Sequence, residues 1–520
     1  MDQRPDNAET AQAPVIAWLA ETLAAPVKRI DTQGAIVLLA GPDAYKIRRA
    51  IKLPFLDYST LPKRRAAAQS EIAHNRDAAP MIYRDVIAVT RGADGYALGG
   101  SGEPVEWISR MQRFDEDATL DRLAERGELD AALMGKLARA LVASHDRAPV
   151  RAAAPALEKL ESWIGQNRAA FAEHTDLFPP ALADALDART RKALEQARPL
   201  LLRRGEAGFC RRCHGDAHLR NIVVVAGEPV LFDAIEFDDS IATGDVLYDL
   251  AFPLMDLCER DLVPAANALL NGYLARSEEA HFEGLAALPL FMSVRAAIRA
   301  KVEAANRIHL TGAARKGVED AARRYFAFAR AFLEAAPVRL MAIGGLSGSG
   351  KSVLAGTLAP YLGRAPGAVW LRSDVERKHM LGVEEGATLP DSAYTPDITA
   401  EVYARCQRRA ALALAAGQSV LLDATHATAA ARRASAEIAH RAGAKFAGLW
   451  LEAPLNVRLE RVASRRDDAS DADGTVARAQ RADPLAEAGW TSLDANRTAA
   501  DIAASVRNDA AIWPQPGALL

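Results

Sequence analysis

The stretch Gly345-Leu346-Ser347-Gly348-Ser349-Gly350-Lys351-Ser352 limits what this chain can fold into more than any other. It fits G-x-x-x-x-G-K-[ST], a loop whose glycines let backbone N–H groups converge on phosphate oxygens without a Cβ in the way. Lys351 brings positive charge to the β- and γ-phosphates of ATP, and the Ser352 hydroxyl can ligate Mg²⁺. The flanks agree with this reading. Val338 to Ile343 reads as a short buried strand, and Lys351 to Leu362 as a helix whose N-terminus points at the anion.

Downstream, strands and helices alternate. Ala368 to Leu371 is a strand ending at Arg372-Ser373-Asp374, Val420 to Leu422 is a strand ending at Asp423-Ala424-Thr425-His426, and Phe446 to Leu451 is a third. This pattern predicts a doubly wound parallel sheet with its ligand at the carboxyl ends of the strands. Lys351, Asp374 and Asp423 all fall at such ends. Asp423 is then a partner for Mg²⁺ together with Ser352, Asp374 can accept a proton from an acceptor hydroxyl, and Arg377 can hold the acceptor. Arg461, Arg465 and Arg466 precede a polar loop from Asp467 to Gly474, where a closing lid would neutralise charge on the moving phosphoryl. Each aspartate also reads as a helix N-cap after a strand, and the arginines as an exposed helix face.

A chain of 520 residues exceeds one ordinary core. The second chemical centre is His214-Gly215-Asp216-Ala217-His218-Leu219-Arg220-Asn221, followed by two apolar strands around Gly227-Glu228-Pro229 and then Asp233. Phosphoryl transfer to a hydroxyl needs an aspartate for the proton and an asparagine and second aspartate for the metal. D-x-x-x-x-N, a hairpin and D supply Asp216, Asn221 and Asp233. Upstream, strands at 36–40 and 44–48 put Lys46 and Arg48 on one face, opposite Tyr45 and Ile47. A helix from about Lys63 to Asn75, N-capped by Thr60, carries Glu71. Lys46 and Glu71 read either as a phosphate-holding pair or as two surface charges.

H-G-D-x-H-x-x-N with Asp233, Gly244-Asp245 and Tyr248-Asp249-Leu250-Ala251 resembles the aminoglycoside phosphotransferase branch of the protein-kinase-like superfamily. Tyr45-Lys46-Ile47, Phe55-Leu56-Asp57-Tyr58-Ser59 and Arg110-Met111-Gln112-Arg113-Phe114 resemble bacterial fusion proteins that join such a domain to a P-loop kinase. The P-loop, Asp374-x-x-Arg377, Asp423-Ala424-Thr425 and the arginine lid resemble kinases of the zeta-toxin, gluconate kinase, chloramphenicol phosphotransferase and polynucleotide kinase type. The resemblance implies an N-terminal bilobal kinase-like fold of mixed α+β type, followed by an α/β P-loop fold. It also implies that Lys46 and Glu71 form an ATP-binding pair and that Met111 lies at the adenine-side hinge. One departure is that no G-x-G-x-x-G precedes Lys46.

The expected domains are a disordered tail (1–14), a kinase-like domain (15–336, with a small lobe to about 108) and a P-loop domain (337–520). The expected activity is ATP-dependent phosphorylation of small hydroxyl-bearing molecules at two sites. One active P-loop kinase regulated by a ligand-binding kinase-like domain stays open, as does a nucleic-acid end kinase or toxin-like kinase. The formal charge of −3 weighs against nucleic acid. No apolar run reaches membrane-helix length, and the polar N-terminus lacks a signal peptide's pattern, so the expected location is the cytoplasm. Cys210-x-x-Cys213-His214 spells the haem attachment motif, but His214 belongs to the loop above and no export signal accompanies it. Cys258 and Cys406 read as small buried hydrophobes. The basic stretch Arg295, Arg299, Lys301, Arg307, Arg315 and Lys316 reads as a solvated helix face. Nothing in the sequence fixes the oligomeric state.

Overall fold

A computed structural model describes residues 7–23, 26–53, 56–464, 469–509 and 512–513. The chain divides into two compact units, residues 1–129, 143–151 and 210–244 in the first, and 130–142, 152–209 and 245–520 in the second.

The first unit is built on a six-stranded antiparallel sheet. Its spatial order is Val27–Asp31, Ala35–Ala40, Asp43–Arg48, Glu103–Gln112, Tyr83–Gly92 and Gly95–Leu98. The strand Asp43–Arg48 lies between two neighbours, and alternation sends Tyr45 and Ile47 into a core with Ile36, Leu38, Val89 and Ile108. The helix Leu61–Asn75 begins at Thr60 with Pro62 in its first turn, and turns Ala67, Ala68, Glu71 and Ile72 inward. Ile72 joins a second core with Ile82 and Tyr83, and with Val223 and Val230 of the hairpin Ile222–Val225/Glu228–Leu231. The hairpin carrying the second motif is thereby fixed to the sheet carrying Lys46.

The expected tail is corrected. Residues 1–6 lie outside the described residues, but a helix runs from Asn7 to Thr22. Val15, Ile16 and Leu19 enter the sheet core. Gln12, one turn earlier, donates to Arg48 O (2.6 Å) and Glu106 Oε2 (2.7 Å) and accepts from Ala50 N (3.0 Å). The spacing 12, 15, 16, 19 is a helix face, which the polar composition of the segment masks.

The second unit holds the P-loop sheet. Five parallel strands run in the order Val369–Arg372, Val420–Asp423, Arg339–Gly344, Lys445–Glu452 and Trp490–Asp494. Helices pack on it around Met341, Ile343, Leu354, Leu358, Leu421, Leu449, Ile502 and Val506. The expected break at 336/337 is not a boundary between compact units. Helices before it belong with the P-loop sheet, because Val369–Arg372 is an edge strand whose polar groups need partners. The helix Val263–Ala275 supplies them. Asn267 Nδ2 donates to Pro366 O (3.1 Å) and Ala368 O (3.0 Å), while Asn271 Oδ1 accepts from Trp370 N (2.7 Å). Buried Arg409 adds a bond to Ser277 O (2.9 Å). Arg295, expected on a solvated face, is buried, with its guanidinium 3.8 Å from the Tyr248 ring centre. All four cysteines are buried, and none is in a disulfide among the described residues.

Candidate functional site

In the first unit, Lys46 Nζ lies 2.6 Å from Glu71 Oε1 and 2.7 Å from Asp233 Oδ1. The strand lysine, helix glutamate and post-hairpin aspartate therefore meet. Burial works against the Lys46 charge, but Asp233 and Glu71 more than offset it and hold the ammonium well above the usual lysine range. Glu71 is fully buried. Burial works against its charge too, and Lys46 and Arg48 outweigh it and keep the carboxylate low. Asp233 has φ +60, a left-handed backbone that few residues adopt. It is held there by Asp233 N donating to Tyr83 Oη (2.8 Å) and Ala234 N donating to Asn75 Oδ1 (2.8 Å).

The loop before the hairpin is equally constrained. Gly215 has φ +83, and a Cβ there would come 2.9 Å from Ala242 Cα. Asp216 N donates to His214 Nδ1 (3.3 Å), so His214 Nε2 carries the proton and donates to Phe232 O (2.9 Å). This braces the Asp216 loop against the strand end that carries Asp233. Asn221 Nδ2 donates to Asp216 O (2.9 Å) and Oδ2 (3.1 Å), and His218 Nε2 lies 3.5 Å from Asp216 Oδ2. With Nδ2 committed to Asp216, Oδ1 is the Asn221 atom that can serve a cation.

Sequence reading left two members of this cluster unassigned. Arg48 Nη2 lies 2.7 Å from Glu71 Oε2 and 3.5 Å from Glu236 Oε1, and Tyr58 Oη donates to Glu236 (3.1 Å). The available signal was the shared face of Lys46 and Arg48; Glu236, three residues beyond Asp233, had none. Replacing Glu71 by Gln leaves Lys46 and Arg48 buried without their shared counter-charge. It lowers stability by about 3–5 kcal/mol, read as a fall in the urea midpoint. Lys63→Ala, which breaks the exposed Lys63–Asp57 pair, leaves the midpoint nearly unchanged in the same assay.

In the second unit, the strand register brings the other set together. Ile343 and Arg372 both pair with Asp423, so three strands end at one level. Lys351, Ser352, Asp374, Arg377, Asp423 and Arg461 line one cavity of about 1240 Å³. Ser347 to Ser352 line it as well, whereas Gly345 and Leu346 stand behind it. Gly345 N donates to Thr425 O (3.0 Å), and a Cβ on Gly345 would come 2.8 Å from Leu451 O. Leu346 O accepts from Lys351 Nζ (3.3 Å). These two residues hold the loop rather than face its contents. Gly348 is equally constrained, since a Cβ there would come 2.4 Å from Arg458 O.

Asp423 is buried, and its Oδ2 has no hydrogen-bond partner among the described residues. Burial pushes its pKa up, with Arg372 and Lys351 pulling the other way. A buried carboxylate oxygen with spare lone pairs beside Ser352 fits a hard divalent cation. Arg377 is 5% exposed and mostly committed to its own fold. It donates to Ala393 O (2.7 Å) and Thr399 Oγ1 (3.2 Å), and its guanidinium stacks 4.7 Å from the Tyr394 ring centre. It thus stiffens the cavity wall more than it reaches into the cavity. Arg461 Nη1 donates to Ser349 O (3.4 Å) and Nη2 to Ala495 O (2.8 Å). Arg465 and Arg466 lie outside the described residues. Asp471, in an acid-rich loop with no readable spacing, accepts from Lys378 Nζ (3.1 Å), Leu389 N (3.1 Å) and Tyr394 Oη (2.6 Å).

His426 follows the same strand end and is buried, and its Nε2 has no partner among the described residues. Burial pushes its pKa down to about 4. The unfolded chain takes up this proton near pH 6.5 and the folded chain only near 4. His426 therefore costs nothing above pH 6.5, and stability falls as pH drops from 6.5 toward 4, by on the order of 3 kcal/mol in all. Urea midpoints at pH 7.5 and 5 check this, and His426→Gln removes that part of the slope.

Residues 60–288 match the phosphotransferase enzyme family, and residues 340–484 match the AAA domain family. Uncharacterized proteins of Mycobacterium tuberculosis (strain ATCC 25618 / H37Rv) and Mycobacterium bovis (strain ATCC BAA-935 / AF2122/97) are 28% identical to this chain over 495 residues. The matches cover 93% of this chain and 94% of each relative, and so span both domains. Among solved structures, a choline/ethanolamine kinase family protein from Mesorhizobium loti is 15% identical, covers 62% of this chain and 99% of its own, and has a TM-score of 0.39. A gluconokinase from Sinorhizobium meliloti 1021 is 21% identical, covers 33% of this chain and 90% of its own, and has a TM-score of 0.25.

Proposed function

We propose, for a kinase that joins a phosphotransferase enzyme family domain to a P-loop domain, that each domain transfers the γ-phosphoryl of ATP to a hydroxyl of its own small-molecule acceptor. In both sites the bond from the γ-phosphorus to the ADP oxygen breaks, a bond to the acceptor oxygen forms, and the hydroxyl proton passes to an aspartate. In the kinase-like site Asp216 takes that proton, Lys46 engages the phosphates and Glu71 orients Lys46. Asn221 and Asp233 would hold Mg²⁺ there. In the P-loop site the amides from Ser347 to Ser352 and the Lys351 charge cradle the phosphates. Asp374 takes the proton, Arg461 adds charge at the loop, and Arg377 with Tyr394 shapes the acceptor wall. Ser352 and Asp423 would hold Mg²⁺ there. Bound magnesium would neutralise phosphate charge in either site.

The observation that carries this reading is the convergence of two separate sets of charged groups. Lys46 and Asp233 meet at 2.7 Å in one unit, and Lys351, Ser352, Asp374 and Asp423 surround one cavity in the other. The test is transfer from labelled ATP by the full chain across a panel of hydroxylated metabolites, repeated with Lys351→Ala and with Asp216→Asn. Two groups of labelled products, each lost in only one variant, are expected. Label that depends wholly on Lys351 would favour a regulatory kinase-like domain, and label appearing only on nucleic-acid ends would end the small-molecule reading.

A further inference from the structure

We propose that Arg48 is a positioning residue that holds Glu71 in its charged form, so that Lys46 is released to the phosphates of the nucleotide; this rests on the reading of the kinase-like site given above. Lys46 and Arg48 lie two residues apart on one face of the strand Asp43–Arg48 and divide the Glu71 carboxylate between them. Oε1 goes to Lys46 at 2.6 Å and Oε2 to Arg48 at 2.7 Å. The two cations differ in access. The Lys46 side chain keeps 15% of its exposure and reaches the half-open Asp233, whereas that of Arg48 keeps 1%. Arg48 is fixed from several sides, with Nη1 donating to Ser109 Oγ (3.1 Å), Nη2 lying 3.5 Å from Glu236, and its backbone O accepting from Gln12 (2.6 Å).

A buried carboxylate needs a permanent partner, and a lysine that must also bind phosphate cannot be that partner throughout. With Arg48 in place, Glu71 keeps one charge-assisted bond while the ammonium of Lys46 is shared with an incoming anion. Without it, Lys46 would be the one cation left beside the buried Glu71 charge, and every ångström of its movement toward the phosphates would leave that charge less compensated. Arg48 cannot touch a nucleotide from its buried position, so its influence on nucleotide binding passes through Glu71 and Lys46.

The experiment uses the full chain carrying Lys351→Ala, which weakens the P-loop site, and measures binding of a non-hydrolysable ATP analogue with Mg²⁺ by titration calorimetry. Thermal melts run in parallel. Adding Arg48→Met is expected to weaken binding more than tenfold, and Arg48→Lys to restore it to within about threefold. A residue that only packs would shift the melt and leave the affinity of the folded protein alone. Binding by Arg48→Met within twofold of its parent overturns the inference, as does Arg48→Lys binding no better than Arg48→Met. Should Arg48→Met fail to fold, Arg48→Lys decides: affinity within threefold of the parent supports the charge role, and a tenfold loss overturns it. A parent that binds no analogue at the kinase-like site refutes the reading of that site itself.

Discussion

Lys351→Ala is expected to lower transfer at the P-loop site about a thousandfold while leaving the melting temperature within a few degrees. The loop does not need the lysine for its shape. Gly345, Gly348 and Gly350 all adopt positive φ, and contacts with Leu451, Arg458 and Thr425 hold the loop in place. The side-chain bond of Lys351 to Leu346 O, at 3.3 Å, stays inside the loop. Alanine also suits the first turn of the helix Lys351–Leu358. What disappears is a positive charge facing the cavity, where on the proposed reading negative charge develops on the moving phosphoryl. Fixed charges in such sites are worth about 3–4 kcal/mol each, which is a factor of a few hundred to a thousand. Initial rates with saturating ATP and the P-loop site's own acceptor check this. A loss of less than tenfold would remove Lys351 from the mechanism.

The second large effect belongs to Asp216. Asp216→Asn is expected to lower transfer at the kinase-like site by about 10²–10⁴-fold, the range for loss of a positioned general base. Nucleotide affinity there should change less than about threefold. The substitution keeps the volume of the side chain, and Asn221 still donates to the residue's backbone O, a bond of 2.9 Å. Lys46, Glu71 and Asp233, the proposed nucleotide-side groups, are untouched. An amide cannot accept the hydroxyl proton, so the loss falls on kcat. Rates measured in the Lys351→Ala background isolate this site. Equal losses in affinity and turnover would mean that Asp216 shapes the loop instead of accepting a proton.

That each set of residues comes together was largely legible, because the clustering is carried by local spacing. A glycine-rich loop between strand and helix, and D-x-x-x-x-N before a hairpin and D, fix side chains through short-range backbone geometry. The Lys46–Glu71 pair was readable as a strand residue and a helix residue facing each other, though the 2.6 Å contact is a product of packing. Partner choices over long sequence distances were not readable. Asn267 and Asn271 look like ordinary helix polar residues until an edge strand a hundred residues later needs their amides. Arg295 looks solvated until Tyr248 and Phe252 close over it. Gln12 looks like tail until Arg48, Ala50 and Glu106 converge on it. In each case a polar side chain answers a buried polar group elsewhere, which pattern and propensity do not encode. Arg377 lines the cavity, as its spacing suggested, but much of it serves the fold. Its spacing from Asp374 pointed to the acceptor, but two of its nitrogens are spent on Ala393 and Thr399.

On the proposed reading, one chain carries two independent nucleotide sites. Counting bound non-hydrolysable ATP analogue per chain, by equilibrium dialysis with Mg²⁺ at saturating ligand, tests it most directly. Two equivalents for the unaltered chain, with one tight equivalent retained in Lys351→Ala and a different one retained in Lys46→Ala, is the predicted result. A single equivalent in the unaltered chain, abolished by Lys351→Ala and indifferent to Lys46→Ala, would contradict it.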